Sequence, residues 1–184
     1  VHYTVCDLLD EIICNAVYSN ARRIDVALLQ TEGWIRISVA DDGRGMSEEE
    51  LARARDPFGT DRLKHPDRRV GLGLPFLIQA TEAVGGSFEM SSTPQEGTVV
   101  SASLDEEHLD TPPLGPVPQA FRTALCYDGD YEMTIVRRRG EIEYSLRRSE
   151  IFEALGDLAD AQAQILLLQY LRDQEEVDGK VNAG

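Results

Sequence analysis

Two stretches of alternating apolar and polar residues, "IDVALLQ" at 24–30 and "WIRISVA" at 34–40, flank the pair Glu32-Gly33. An alternating period of two reads as a strand with one apolar face, and a glycine-containing pair between two such strands reads as a hairpin turn. That apolar face has to be covered. The residues just before it supply the cover, because 7–21 repeat at the helical period with Ile12, Ile13, Ala16 and Val17 on one side. A helix laid on a hairpin is the beginning of a layered α/β domain.

"DDGRGMSEEE" follows the second strand. Its glycines break the strand, and Ser47 with Glu50 three residues on has the form of a helix N-cap and capping box. Residues 56–73 are rich in Gly, Pro, Asp and Arg, show no apolar period and read as a loop. "LPFLIQATEAVGG" predicts a helix over 74–84, with Pro75 in its first turn and Gly85-Gly86 at its end. "SFEMSST", "PQEG" and "TVVSASL" predict a second hairpin. "DEEHLDTPPLGPVPQ" then holds four of the eight prolines and reads as a linker or an extended crossing segment.

Beyond it "FRTALCY", "YEMTIVRRR" and "EIEYSLRR" alternate and predict a three-stranded meander. Ser149 is placed to start a long helix reaching about residue 176, with Ile151, Phe152, Leu155, Leu158, Ile165, Leu168 and Leu171 as its apolar stripe. The expected division is 1–104, a Pro-rich linker at 105–119, and a small α+β module at 120–184. The stripe has to bury, either on the inner face of the meander or against a second copy in a homodimer.

Composition narrows the function. A chain of 184 residues suits one domain with a small appendage. The net charge of −15 leaves no broad basic footprint for nucleic acid. No apolar run approaches the roughly 18 residues of a membrane span. With no basic-then-apolar leader, the expected setting is cytoplasmic. Cys6, Cys14 and Cys126 have no CxxC spacing and suit reduced thiols, while His2, His65 and His108 form no zinc-ligand pattern.

The polar motifs are individually ordinary. Glu11 and Asn15, four apart, suit a solvated helix edge. Asp41-Asp42-Gly43 suits a turn, with Asp42 as the turn residue. Gly71 and Gly73 before a helix suit packing. Their order is more specific: Glu11 and Asn15 on a helix, then "ADDGRGM", a loop of about two dozen residues, "VGLGLPF", and a strand beginning "GTVV". This series resembles the GHKL, or Bergerat-fold, ATPase superfamily of gyrase, MutL-type mismatch-repair proteins, heat-shock chaperones and histidine kinases. The resemblance covers roughly residues 5–104. It implies a two-layer α/β sandwich, with a mixed, mostly antiparallel sheet and helices on one face, here followed by the meander-plus-helix appendage.

The resemblance also implies ATP and Mg2+ as cofactors. Asn15 matches the family's magnesium ligand, consistent with a metal held by few protein oxygens plus waters and phosphates. Glu11 matches the residue that acts as general base in gyrase and MutL-like members. Asp41 matches the adenine-reading aspartate, and Thr98 the threonine that supports it. Gly43 and Gly45 would let the backbone approach the base, and Met46 would pack on the base or serve the core. Gly71, Leu72, Gly73 and Leu74 form the phosphate-binding turn into a helix. Residues 56–70 match the ATP lid. Arg62 is its candidate phosphate contact, unless that basic loop only offsets neighbouring acids.

The first half of this region looks more like MutL and gyrase. "GLGLPFLIQATEAVGGSFEMSSTPQEGTVVSASL" looks more like histidine kinases and anti-sigma serine kinases. No histidine stands where a histidine kinase needs its phosphoacceptor, since His2 is too close to the first motif. The expected function is an ATP-Mg-binding regulatory or signalling protein with slow hydrolysis or phosphoryl transfer to a protein partner. The alternatives are an anti-sigma-type serine kinase and a nucleotide-gated interaction module without turnover.

Overall fold

The computed structural model describes residues 3–56 and 73–176. Helix α1 (Val5–Tyr18) begins at a capping box: the Asp7 N–H donates to Thr4 Oγ1 at 3.1 Å and the Thr4 N–H to Asp7 Oδ2 at 2.8 Å. Two otherwise orphaned helix-start donors are thereby satisfied. Strands β1 (Arg23–Thr31) and β2 (Trp34–Asp41) pair antiparallel. Glu32 and Gly33 both take positive φ, 56° and 76°, as a two-residue hairpin turn with the twist of the flanking strands requires. Helix α2 (Glu48–Arg55) carries the Ser47–Glu50 capping box expected of it. Helix α3 (Gly73–Ala83) is closed by the Gly86 N–H on the Thr81 carbonyl at 2.8 Å. Strands β3 (Ser87–Thr93) and β4 (Gly97–Asp105) complete the second hairpin.

The rest of the described chain comprises α4 (Val117–Cys126), β5 (Glu132–Arg139), β6 (Ile142–Arg147), α5 (Arg148–Leu155) and α6 (Ala161–Glu176). All six strands form one sheet in the order β3-β4-β2-β1-β5-β6. Every pairing is antiparallel except β1 with β5. Register carries one row of side chains across the whole sheet: Met90, Val100, Val39, Val26, Ile135 and Leu146. All six are buried. Helices α1, α3, α4 and α6 cover that face. The opposite face presents Ser101, Ser38, Ala27, Val136 and Ser145, none of them buried. The fold is thus a two-layer sandwich of a mixed, mostly antiparallel sheet with helices on one side.

The C-terminal elements differ from the sequence expectation in three ways. "FRTALCY" lies in helix α4, not in a strand. Its Phe121, Ala124 and Leu125, with Val117, are buried at helical spacing, and Pro118 sits in the first turn, where its missing N–H costs nothing. The meander is therefore a two-stranded hairpin, and it extends the main sheet through β5. The long helix from Ser149 is two helices, α5 and α6, parted at Gly156 with φ 78°. Of the expected stripe, Leu158 and Leu171 are buried, but Ile165 is 65% exposed; Ala163 and Leu167 take the buried face instead. The "TPPLGP" crossing runs over the start of α1, where the Val5 and Cys6 N–H groups donate to the Pro113 and Leu114 carbonyls at 2.9 Å each. Among the described residues no helix is long and apolar enough to cross a membrane.

Two buried arginines fasten the C-terminal elements. Arg137 donates to Glu175 Oε1 at 2.9 Å and Oε2 at 3.2 Å, tying α6 to β5. Arg148 donates to the carbonyls of Leu125, Tyr131 and Tyr127 at 3.0, 2.9 and 3.1 Å and stacks on the Tyr131 ring at 3.9 Å. The Tyr127 carbonyl also accepts from the Tyr131 hydroxyl at 3.0 Å. Arg148→Met should remove a donor from three carbonyls, of which Tyr127 keeps this second one, and lower the unfolding free energy in urea by about 3 kcal/mol. Half-exposed Arg138, by contrast, pairs with Glu143 on the outer face, so Arg138→Met should change stability by less than about 0.5 kcal/mol.

Candidate functional site

Helix α1 brings together what the sequence separates. Its apolar face, Val5, Leu8, Leu9, Ile12, Ile13 and Ala16, is buried. Glu11 and Asn15 follow on its half-buried edge, one turn apart. Glu11 lies against the first residue of α3. A Cβ built on Gly73 would stand 2.5 Å from Glu11 Cβ and 3.5 Å from Glu11 Oε2. The glycine is therefore required for α3 to begin this close to the carboxylate. The outcome is a carboxylate, a neutral amide oxygen and the opening backbone N–H groups of an 11-residue helix in one place. Leu74 is buried in the core, so what that position can offer a ligand is its backbone. Arg62, Gly71 and Leu72 lie outside the described residues, as does the lid segment after Asp56.

The second cluster sits beyond the C-terminal end of α1, roughly 12 Å along the helix from Glu11. Asp41 closes β2, next to Thr98 in the register with β4. The Gly43 N–H donates to Asp41 Oδ1 at 2.8 Å, and the Ser19 hydroxyl lies 3.3 Å from the same oxygen. Burial pushes the Asp41 carboxyl above its usual range, and the Gly43, Ser19 and Thr98 hydrogen bonds only partly offset that. Asp42 has the other role. Its Oδ1 accepts the Arg22 and Arg23 N–H groups at 2.8 and 2.9 Å, and these hold its carboxyl below the usual range. Asp42 thus serves the turn, while Asp41 is the more buried of the two carboxylates.

The glycines of this loop serve the protein itself. A Cβ at Gly45, where φ is 63°, would meet the Thr93 carbonyl at 1.9 Å, and one at Gly43 would meet Ser19 Oγ at 1.9 Å. The loop is pressed onto the turn between β3 and β4, where the Gln95 N–H donates to the Arg44 carbonyl at 2.7 Å. Met46 packs its side chain against the core, and its N–H donates to Ser92 Oγ at 2.8 Å. Ser92 Oγ is also 2.8 Å from Thr98 Oγ1. Ser19 and Ser92 were not singled out from the sequence. Ser92 had a signal: it is the polar residue in phase with the buried-side positions Phe88 and Met90.

Among the described residues no group of three His, Cys, Asp or Glu side chains converges to hold a metal. The neutral oxygen that α1 offers is that of Asn15. That suits a hard cation which keeps most of its waters and is shared with phosphates.

The fold is a layered α/β domain with a half-buried carboxylate, Asp41, at the end of β2 and a second, Glu11, against the start of α3. Residues 3–108 match the family model described as "Histidine kinase-, DNA gyrase B-, and HSP90-like ATPase". That span is more than half of the chain, and the chain belongs to this family. Among curated relatives, it is 38% identical over 78 residues to the non-motile and phage-resistance protein of Caulobacter vibrioides, covering 41% of this chain and 9% of that protein. It is 32% identical to the C4-dicarboxylate transport sensor protein DctB of Pseudomonas aeruginosa, covering 53% and 16%. It is 31% identical to the DNA mismatch repair protein MutL of Rhodopseudomonas palustris, covering 59% and 18%. The chain thus matches less than a fifth of the length of each of these relatives. Among solved structures, the histidine kinase domain of the Erythrobacter litoralis EL346 blue-light activated histidine kinase aligns with a TM-score of 0.38 at 21% identity, covering 58% of this chain and 45% of that one.

The raised Asp41 carboxyl has a consequence for stability. Ionisation is disfavoured in the folded state relative to the unfolded chain, so the group weakens the fold at pH values above its raised pKa. The effect vanishes below the unfolded value of about 3.9. Asp41→Asn keeps an oxygen for the Gly43 N–H and removes the buried charge. Thermal unfolding at pH 7 should show the variant at least as stable as the parent, with any gain fading as pH falls toward 4.

Proposed function

We propose that the chain binds ATP with Mg2+ between α1, the 41–46 loop and the start of α3, as a regulatory or signalling component. The observation that carries this reading is the contact of Gly73 with Glu11, with Asp41 and Thr98 together at the other end of the same helix. One helix then faces a phosphate chain with Glu11 and Asn15 and leads to a base pocket at Asp41. Asn15 would be the protein's ligand to magnesium, which supplies charge neutralisation of the phosphates when bound. Gly43, Gly45 and Met46 shape the base pocket, and Gly71 to Leu74 would offer backbone N–H groups to phosphate. Arg62 would reach the terminal phosphate from the lid.

Glu11 supports turnover. A carboxylate here accepts the proton of an attacking hydroxyl, from water or from a serine of a partner protein. As the new P–O bond forms, the bond from the terminal phosphorus to the bridging oxygen breaks and ADP leaves. Free phosphate then marks an ATPase, and phosphoprotein marks a kinase of the anti-sigma type. A nucleotide-gated module would show neither. Cys6, Cys14 and Cys126 form no disulfide, which suits a reducing, cytoplasmic setting.

Calorimetry with ATP and Mg2+ on the intact chain tests the binding claim, and absence of a binding isotherm from folded protein overturns it. Glu11→Ala is expected to keep ATP affinity within about threefold and to lose turnover by about 10²-fold or more, the usual worth of a general base. Asn15→Ala is expected to abolish the magnesium-dependent part of binding while thermal stability without nucleotide stays unchanged. A matching fall in stability of the nucleotide-free protein would make Asn15 structural instead.

A further inference from the structure

We infer that Ser92 is a positioning residue that fixes the polarity of the Thr98 hydroxyl and so makes the base pocket select an amine over a carbonyl. The inference rests on the ATP reading above and adds to it a residue that sets the Thr98 proton. Ser92 Oγ has three neighbours: the Met46 N–H at 2.8 Å, the Gly97 carbonyl at 3.0 Å and Thr98 Oγ1 at 2.8 Å. A serine hydroxyl has one proton and two lone pairs. The Met46 N–H can only donate, so it occupies one lone pair. The Gly97 carbonyl can only accept, so it takes the serine proton. What remains is one lone pair, and the only way for Thr98 to bond to it is to donate its own proton.

No other assignment satisfies all three contacts. If Ser92 donated to Thr98, its oxygen would face the Gly97 carbonyl at 3.0 Å with no proton between them. With the proton of Thr98 committed to Ser92, Thr98 Oγ1 offers only lone pairs elsewhere. Asp41, its neighbour in register, is a carboxylate and likewise only accepts. Two acceptors side by side match an exocyclic –NH2 group, directly or through a shared water. They repel a carbonyl oxygen at the same place. Adenine carries the amine there, and hypoxanthine and guanine carry the carbonyl. A pocket built from committed acceptors rejects the wrong base because its polar groups are left unpaired.

Ser92→Ala releases the Thr98 hydroxyl to rotate and donate. The test is calorimetry of the intact chain with ATP and with inosine 5′-triphosphate, each with Mg2+, for the parent, Ser92→Ala and Ser92→Thr. The expected result is a preference for ATP that falls by about tenfold or more in Ser92→Ala, through weaker ATP binding with inosine triphosphate binding kept or strengthened. Ser92→Thr keeps the hydroxyl and should keep the parent's ratio. Equal weakening of both nucleotides, or an unchanged ratio, overturns the role of Ser92 while leaving ATP binding intact. A parent that binds neither nucleotide overturns the ATP reading and this inference together. Should Ser92→Ala fail to fold, Ser92→Cys, with a weak donor and acceptor at similar volume, is expected to lower the ratio in the same direction, and an unchanged ratio there overturns the inference.

Discussion

Val5, Leu8, Leu9, Ile12, Ile13 and Ala16 seat α1 on the covered face of the sheet, and the placement of both polar clusters follows from that burial. Each large side chain among them contributes about 1.5–3 kcal/mol of hydrophobic stabilisation, which sets Glu11 and Asn15 at the helix edge. The helix is also fixed at its ends. The Thr4 capping box and the Pro113–Leu114 crossing hold its start. Asp42 fixes the chain just past its other end by capping the Arg22 and Arg23 N–H groups. A helix so held can present two functional groups four residues apart with little freedom to shift register, and preorganisation of that kind is what positioning in a site requires.

The C-terminal third contributes to the same result. Helix α4 packs beside α1, and Tyr127 just past its end donates to both oxygens of Asp10 at 2.9 and 3.0 Å. Asp10 precedes Glu11, so this bond fixes the turn of α1 that carries the carboxylate. Strand β5 joins β1 in the sheet's parallel pairing, and α6 locks onto β5 through Arg137 and Glu175. Burial alone would raise the Glu175 carboxyl, yet Arg137 and the Tyr144 hydroxyl outweigh it and hold the group ionised below its usual range. The charge pair is thus fully compensated, the condition under which a buried ion pair is tolerated. The described residues beyond 105 share one core with the motif-bearing half.

How much of this the sequence revealed depends on the kind of residue. Period-two alternation in 24–40 and 87–104 identified four strands, because one covered face leaves a clean pattern. Glu11, Asn15, Asp41 and Gly73 stood out by order and spacing, and the fold brings them along one helix. "FRTALCY" was misleading because Phe121, Thr123, Leu125 and Tyr127 fit a strand's period of two while Phe121, Ala124 and Leu125 fit a helix; length and the proline at the first turn separate the two. Pro116 and Pro118 were read as linker, although a proline in the first turn also starts helices. Arg137 was invisible for a different reason. "RRR" reads as an exposed charged edge, and its partner Glu175 is 38 residues away. No local pattern announces a bond of that span.

The hydroxyl network around Asp41 shows where sequence logic and site chemistry part. Thr98 could be assigned from its place after Gly97, but its proton could not, because that is decided by Ser92, the Gly97 carbonyl and the Met46 N–H acting together. Those partners come from three segments: the loop after β2, the end of β3 and the start of β4. Beside this network the glycines of the 41–46 loop are pressed against Ser19 and Thr93, so the proposed base pocket adjoins a closely packed turn. A substitution that loosened this packing would therefore alter which groups the pocket donates and accepts, even where no ligand-touching residue had changed. In a site built this way, selectivity is a property of the fold's hydrogen-bond accounting as much as of the residues that face the ligand.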